Sequence, residues 1–241
     1  MIDSLQRAQY LAALGIDQWL RRPATGPSDA PTASPVSAAR ATPVAALTWT
    51  QLRATVSQCK LCSLAQTRTQ TVFGVGDMQA RWLIIGEAPG AEEDRQGEPF
   101  VGAAGQLLDK MLAAIDLPRE TVFIANMLKC RPPGNRDPTA AELGSCGPYL
   151  QRQIALLAPT IILVVGRIAA QALLNTEVPL GRLRGQVHRV GALNTPVIVT
   201  YHPAYLLRSP SEKRKAWDDL KFARRTYEHL IAATQLTVKT E

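Results

Sequence analysis

Three polar side chains of catalytic type follow short apolar runs of this sequence: the carboxylate Glu87, the amide Asn126 and the imidazole His202. A set of this kind can recognise and hydrolyse a small polar ring. The sequence has neither a nucleophile elbow nor a Walker-type lysine loop, which argues against those two enzyme classes. A lone histidine is more often structural. His202, however, is predicted to lie at the end of a strand and is followed by Pro203, which favours a functional role.

The sequence contains only four cysteines, and two of them form a C-x-x-C pair: Cys59, Cys62, Cys130 and Cys146. Four free thiols would each need a separate explanation. Zinc is possible, but zinc modules usually bring their ligands as two close pairs, and here the second pair is widely split. A proline follows Cys130 and Cys146 within two residues, as in some ferredoxin-like sites. The spacing favours an iron–sulfur cluster and leaves zinc open.

The strands and helices that are predicted to position these groups alternate along the chain. Apolar runs without polar alternation are typical of parallel strands covered on both faces, and they occur at 82–85, 122–125, 161–165 and 197–200. Helical patterns occur at 106–115, 149–157, 168–174 and about 211–234. The alternation predicts an α/β fold, a three-layer α/β/α sandwich with a four-stranded parallel central sheet. Ligands of such sheets bind at the carboxyl ends of the strands, so Glu87, Asn126 and His202 should meet there.

The predicted domain is preceded by two segments of different composition. Residues 1–22 predict a helical extension and residues 23–47 a flexible linker rich in Pro, Ala, Ser and Thr. The domain proper is predicted at 48–235, with a tail at 236–241. The extension is either a small docking peptide or a tolerated extension without a partner, and the second interpretation is the simpler one.

Charge and hydropathy narrow the class of protein. The net charge of +7 and the pI of about 9.5 suit a polyanionic partner, and are equally compatible with a merely basic protein. The sequence has neither an apolar run of about 18 residues nor a secretory signal, so we expect a cytoplasmic protein with no membrane association. Basic residues concentrate near 129–136 and 208–215, and Leu206 and Leu207 could form an apolar wedge that fills an opened base stack.

Four segments in order resemble the motifs of the iron–sulfur family-four uracil-DNA glycosylases. They are GEAPG at 86–90, GEPFVGAAGQLL at 97–108, NMLKCRPPGNRDP at 126–138 and HPAYLLR at 202–208. The resemblance covers roughly residues 48–224. It implies a monofunctional enzyme that flips uracil out of DNA and hydrolyses its N-glycosidic bond, which begins base excision repair. It also implies a [4Fe–4S] cluster on Cys59, Cys62, Cys130 and Cys146.

The resemblance assigns roles to individual residues. Phe100 should stack on uracil, Asn126 should read its Watson–Crick edge, and His202 should face the carbonyl that gains charge. Uracil-binding residues are expected at Glu87, Ala88, Pro89, Phe100, Asn126 and His202. Glu93 is a candidate for excluding thymine. The DNA-binding residues that we expect are Lys129, Arg131, Asn135, Arg136, Leu206, Leu207, Arg208, Ser209, Lys213 and Arg214.

One position departs from the best-known branch of the superfamily. That branch has an aspartate where Ala88 stands. Two explanations of catalysis therefore stay open: Glu87 activates the water, or stabilisation of the charges that develop in the reaction provides most of the rate. We expect a monomer that acts on uracil-containing DNA. Two other hypotheses compete with it: a non-catalytic iron–sulfur nucleic-acid-binding module, and a zinc hydrolase of small nucleosides.

Overall fold

The computed structural model describes residues 43–238. A six-stranded sheet with the order β1-β3-β2-β4-β6-β5 forms its centre. The strands are β1 (Val75–Gly76), β2 (Trp82–Gly86), β3 (Phe123–Asn126), β4 (Ile161–Val165), β5 (His188–Val190) and β6 (Thr195–Thr200).

The sheet is mixed, whereas the sequence predicts a four-stranded parallel sheet. The inner strands β3, β2, β4 and β6 pair in parallel. The edge strands β1 and β5 pair antiparallel with β3 and β6. Both edge strands are short, with two and three residues, and neither is fully buried. They therefore lack the continuous apolar run by which the inner strands were recognised.

Helices surround the sheet and connect its strands. The α-helices are α1 (Trp49–Ser57), α2 (Ala91–Gln96), α3 (Ala103–Ala113), α4 (Ala140–Leu157), α5 (Arg167–Leu174), α6 (Leu180–Leu183), α7 (Pro203–Arg208) and α8 (Lys213–Val238). Short 3₁₀ helices occur at Val44–Ala46, Ser63–Gln66, Arg119–Thr121, Pro133–Asn135 and Pro210–Glu212.

Two apolar cores lie on opposite faces of the sheet. Successive strand residues point to opposite faces, and Leu83 and Ile85 of β2 belong to one core while Trp82 and Ile84 belong to the other. The first core contains residues of α1, α4 and α5, and the second contains residues of α3, α7 and α8. The architecture is thus an α/β fold with helices on both faces of an open sheet.

Residues just before the predicted boundary at residue 48 contact the rest of the fold. Leu47 is buried, and its carbonyl accepts a hydrogen bond from Arg152 Nε at 2.6 Å. Thr48 then caps α1 through a reciprocal capping box with Gln51. At the other end α8 extends to Val238, into the predicted tail. The predicted extension at 1–22 lies outside the described residues. Within 43–238, no helix is both long and apolar enough to cross a membrane.

Candidate active site

A cavity of about 410 Å³ lies at the carboxyl edge of the inner strands. Glu87 follows β2, Asn126 ends β3, and His202 follows β6, so the parallel strands deliver all three to one place. Phe100 comes from the loop between α2 and α3. Its ring centroid lies 5.7 Å from that of His202, with 30° between the planes. The predicted base-binding residues Glu87, Ala88, Pro89, Phe100, Asn126 and His202 all line this cavity.

Phe100 is held in an unusual backbone conformation. Its φ is +55°, in the left-handed region that bulky residues rarely adopt. Arg119 stabilises this turn, since its guanidinium donates to the carbonyls of Pro99 at 2.5 Å and Phe100 at 3.2 Å. Gly105 is required on the opposite side, because a Cβ there would lie 1.8 Å from the Phe100 carbonyl oxygen. Backbone contacts therefore fix the ring that faces the cavity.

Glu93 supports the same loop. Its Oε1 accepts hydrogen bonds from the backbone N–H groups of Val101 at 2.9 Å and Gly102 at 3.0 Å. Its Oε2 accepts from the backbone N–H of Gly90 at 3.1 Å. Glu93 also lines the cavity. Its role in excluding thymine stays a prediction. Its hydrogen bonds connect the start of α2 to the turn that precedes α3.

Asn126 is buried, with 2% of its surface exposed. Its Oδ1 has no hydrogen-bond partner among residues 43–238, which is unusual for a buried amide. A Cβ on Gly86 would lie 2.4 Å from this oxygen and 2.6 Å from the Phe100 ring, so only glycine fits beside the two side chains. The Asn126 carbonyl is satisfied by Lys129 Nζ at 2.8 Å. The backbone of Asn126 is thus fixed while its side-chain oxygen is available to a ligand.

His202 is a neutral imidazole with one hydrogen-bond donor, Nε2–H. The backbone N–H of Ala204 donates to Nδ1 at 3.1 Å, so the neutral ring carries its proton on Nε2. Burial, the largest cause, lowers the pKa of His202 to about 4, with Arg208 lowering it further and Glu93 opposing. The imidazole is therefore uncharged near neutral pH.

Glu87 is a partly buried carboxylate in the cavity. Burial, the largest cause, raises the pKa of Glu87 to about 7; Asp137 raises it further and Arg167 lowers it. Asp137 also lines the cavity, and its Oδ2 lies 3.3 Å from Arg167 Nη2. A carboxyl group with a pKa near the working pH is suited to general acid–base chemistry.

The four cysteines lie in one neighbourhood beside this site. They form no disulfide in the described part of the chain. Burial, the largest cause, raises the pKa of Cys130, and the nearby Cys62 and Cys59 raise it further, while Arg68 lowers it. Burial likewise raises the pKa of Cys146 to about 11; a contribution from Lys129 lowers it, and Cys130 and Cys59 raise it. The contributions of one thiol to another require these cysteines to lie near each other.

Hydrogen-bond donors are directed at two of the sulfurs. Arg68 Nη1 donates to Cys130 Sγ at 3.0 Å, and the Lys129 backbone N–H donates to Cys146 Sγ at 3.2 Å. Such donors stabilise thiolates, the form that binds iron or zinc. Across residues 43–238, no three His, Cys, Asp or Glu side chains form a group that could hold a single ion. The thiols therefore share a region without forming a compact mononuclear shell. As a donor set, four thiols with N–H donors to sulfur fit a cysteine-ligated cluster.

The predicted DNA-contacting residues differ in how they are placed. Asn135, Arg136 and Arg208 are exposed and line the cavity, and Leu207, Lys213 and Arg214 are exposed nearby in the chain. Ser209 and Arg131 are partly buried, and Arg131 Nε donates to Asn135 Oδ1 at 2.7 Å. Arg136 forms two hydrogen bonds with Glu142, at 2.9 and 2.6 Å. Its charge is thus already paired.

Two of these predictions are corrected by the structure. Lys129 is 1% exposed and its Nζ is bound to the Asn126 carbonyl, so it cannot reach a phosphate. Burial, the largest cause, lowers the pKa of Lys129 to about 8, against raising contributions from Cys146 and Cys130. Leu206 is also 1% exposed and belongs to the second core, so it is not a wedge. Leu207, its neighbour, is 45% exposed.

Sequence reasoning missed four residues with contacts at the site. Arg119 holds the Phe100 loop, Arg68 donates to Cys130, Asp137 faces Glu87, and Tyr205 lines the rim of the cavity. Arg119 and Arg68 lie in other segments, and no local pattern connects them to the site. Asp137 and Tyr205 lie inside the motifs at 126–138 and 202–208. The sequence therefore indicates that they are near the site, but it does not indicate where their side chains point.

Comparison with known proteins gives a consistent result. The model of the uracil DNA glycosylase superfamily matches residues 73–221. The chain is 45% identical to a type-4 uracil-DNA glycosylase of Archaeoglobus fulgidus, over 69% of this chain and 86% of that protein. It is 41% identical to a type-4 uracil-DNA glycosylase of Pyrobaculum aerophilum, over 70% and 90% of the two chains. A third, from Sulfurisphaera tokodaii, is 40% identical over 71% and 81%.

Proposed function

Because the chain belongs to the uracil-DNA glycosylase superfamily, and its relatives at 40–45% identity are type-4 enzymes, we propose that it removes uracil from DNA. The reaction hydrolyses the N-glycosidic bond and leaves an abasic site, the first step of base excision repair. One observation carries the proposal. A single cavity of about 410 Å³ is lined by Glu87, Phe100, Asn126 and His202, which come from distant parts of the sequence.

Uracil has to leave the base stack to enter this cavity. Extruding a nucleotide costs a few kcal/mol, and stacking of the freed ring on an aromatic side chain returns about 1–3 kcal/mol. Phe100 is the aromatic group for this contact, because its ring lines the cavity and its backbone is fixed by Arg119 and Gly105. Two exposed residues of α7 suit the opened duplex. Leu207 is apolar and suits the gap that uracil vacates, and the cation Arg208 suits a phosphate.

Asn126 distinguishes uracil from cytosine. Its Oδ1 accepts from uracil N3–H, and its amide nitrogen donates to uracil O4. Cytosine presents the opposite pattern and would leave buried groups unpaired, which a hydrogen-bonding site rejects strongly. The absence of a partner for Oδ1 among residues 43–238 supports this role.

His202 and Glu87 act on the two charges that develop as the bond breaks. Negative charge gathers on uracil, and His202 donates from Nε2 to the carbonyl that gains it. A donor placed in this way is worth about 2.7–4 kcal/mol. Positive charge gathers on the sugar, where ionised Glu87 stabilises it and orients the attacking water. No covalent intermediate with the protein is required.

We propose further that Cys59, Cys62, Cys130 and Cys146 hold a [4Fe–4S] cluster. Support comes from the common neighbourhood of the four thiols, the N–H donors to Cys130 and Cys146, and the motif resemblance. Such a cluster contains several irons, so its ligands would not need to pack as tightly as those of one ion. When bound, the group supplies iron–thiolate bonds that crosslink separate segments of the chain.

The remaining parts of the proposal concern the surroundings of the enzyme. It works as a monomer in the cytoplasm, where a reducing environment keeps the four thiols available. Its positive net charge of +7 favours association with DNA. The N-terminal extension at 1–22 is a candidate contact for a replication or repair protein.

The test is incubation of the purified protein with an oligonucleotide that carries one uracil, followed by alkali. Strand breakage at the uracil indicates an abasic site, and oligonucleotides with thymine or cytosine at that position are the matched controls. Asn126→Ala should bind the DNA and cut it much more slowly. An intact uracil oligonucleotide after treatment with protein that retains its iron would refute the proposed function and favour a non-catalytic binding module.

A further inference from the structure

Tyr205 is an exposed aromatic residue at the rim of the cavity. It is 37% exposed and lines the cavity together with Arg208, from the same helix α7. Phe100, by contrast, is 6% exposed and lies inside. The site therefore has two aromatic rings at different depths. The inner ring is the one proposed to stack on the flipped base, which leaves the outer ring without a role.

The ring of Tyr205 is supported by a stack that reaches into the core. Tyr205 packs on Tyr201 with 5.2 Å between centroids and 25° between planes. Above the Tyr201 ring lies the guanidinium of Arg184, 4.3 Å from its centroid. Arg184 is fixed by two hydrogen bonds to Asp219, at 2.7 and 3.0 Å, and Asp219 also accepts from Thr200 at 2.8 Å.

This support gives Tyr205 a fixed position before any ligand binds. Asp219 is 3% exposed, so the base of the stack is anchored in the folded core. Freely mobile surface side chains lose conformational entropy when they are immobilised by a partner. A ring that is already held loses less, and it offers an exposed π surface to a flat partner.

We propose that Tyr205 is the stacking platform for a base directly adjacent to the excised uracil, on the same strand. The inference deepens the proposed function and rests on it. When uracil leaves the stack, its neighbour loses a stacking partner, and an aromatic ring at the cavity mouth replaces that partner. Arg208, exposed beside Tyr205 on α7, is placed for the phosphate between the two nucleotides.

The proposal predicts energetic coupling between one side chain and one base of the substrate. Single-turnover excision is measured on oligonucleotides in which the 5′ or the 3′ neighbour of uracil is replaced by an abasic analogue, as single strands and as duplexes. For the parent protein, removal of the stacked neighbour should lower the apparent affinity roughly tenfold. Tyr205→Ala should have the same lower apparent affinity for the normal substrate. Replacing the neighbouring base by the abasic analogue should not lower the affinity of this variant further.

Two other variants separate stacking from other effects. Tyr205→Phe keeps the ring and should behave like the parent protein. Tyr205→Leu keeps bulk without a π face and should behave like Tyr205→Ala. Trp217→Ala is the matched control, because Trp217 is a similarly exposed aromatic residue, at 40%, that does not line this cavity. It should leave the penalty for removing the neighbouring base unchanged.

The outcomes distinguish the two proposals. Excision of uracil with equal neighbour-base penalties in the parent protein and Tyr205→Ala would overturn the stacking role and leave the proposed function standing. If the parent protein excises uracil with the same apparent affinity whether or not either neighbouring base is present, the stacking role is likewise overturned and the proposed function stands. Failure of the parent protein to excise uracil from any of these substrates would overturn both.

Discussion

The raised pKa of Glu87 predicts a specific pH dependence. Burial and Asp137 raise the pKa of Glu87 to about 7, against a smaller lowering by Arg167. If ionised Glu87 orients the water, the rate follows its ionised fraction, which is about one half at pH 7 and about one hundredth at pH 5. The rate constant of excision should therefore fall roughly 100-fold between pH 9 and pH 5. His202 does not titrate over most of this range, because burial lowers its pKa to about 4.

The assay is single-turnover excision with saturating protein, which separates the chemical step from DNA binding. Glu87→Gln should be slow at every pH and should lack the inflection near pH 7. Asp137→Asn should move the inflection to lower pH because it removes a negative neighbour, and Arg167→Gln should move it higher. A parent profile that is flat from pH 5 to pH 9, or an inflection that persists in Glu87→Gln, would refute the role of this carboxylate.

The same pKa shift has a consequence for stability. The carboxyl of Glu87 ordinarily titrates near 4.5 when unfolded and near 7 when folded, so between these values the folded state holds more protons. Stability therefore declines as pH rises through this window. Thermal melts should show Glu87→Gln more stable than the parent protein at pH 8, with the difference disappearing below pH 4.5. A site that trades stability for reactivity behaves in this way.

Three other predictions follow from contacts at the site. Gly86→Ala should fold but lose most activity, because the new Cβ would lie 2.4 Å from Asn126 Oδ1; kinetics and a thermal melt check this, and near-parent activity would contradict the tight fit. Arg119→Ala should weaken substrate affinity about tenfold or more by releasing the Phe100 loop, whereas Phe100→Ala in the same background should add little. Cys130→Ala should lose iron, labile sulfide and visible colour, and a coloured variant would contradict its role as a ligand.

The inner strands and the residues at their carboxyl ends could be predicted because the relevant signals are local. Buried parallel strands have continuous apolar runs, and the polar residue after each run must lie at the same edge of the sheet. The edge strands β1 and β5 have no such signal, since each is short and partly exposed. Their pairing depends on neighbours that are distant in sequence.

The two corrected residues show why orientation was harder to predict than position. The sequence predicts one exposed pair at Leu206 and Leu207, but successive residues of a helix point about 100° apart. α7 therefore buries the first and exposes the second. Lysine is usually exposed, so the sequence predicts Lys129 at the surface. Here its ammonium group is satisfied by the Asn126 carbonyl, a contact three residues back along the chain.

The position of Lys129 also explains how the cysteine region and the cavity can act as one unit. Its backbone N–H donates to Cys146 Sγ, while its Nζ donates to the carbonyl of Asn126. Arg136 makes a second connection, because it lines the cavity and binds Glu142 on α4, the helix that carries Cys146. A shift of that helix would therefore move both the residue that reads the base and the rim of the cavity. Loss of the thiol ligands should disturb base recognition even while the central sheet, which has its own buried core, stays folded.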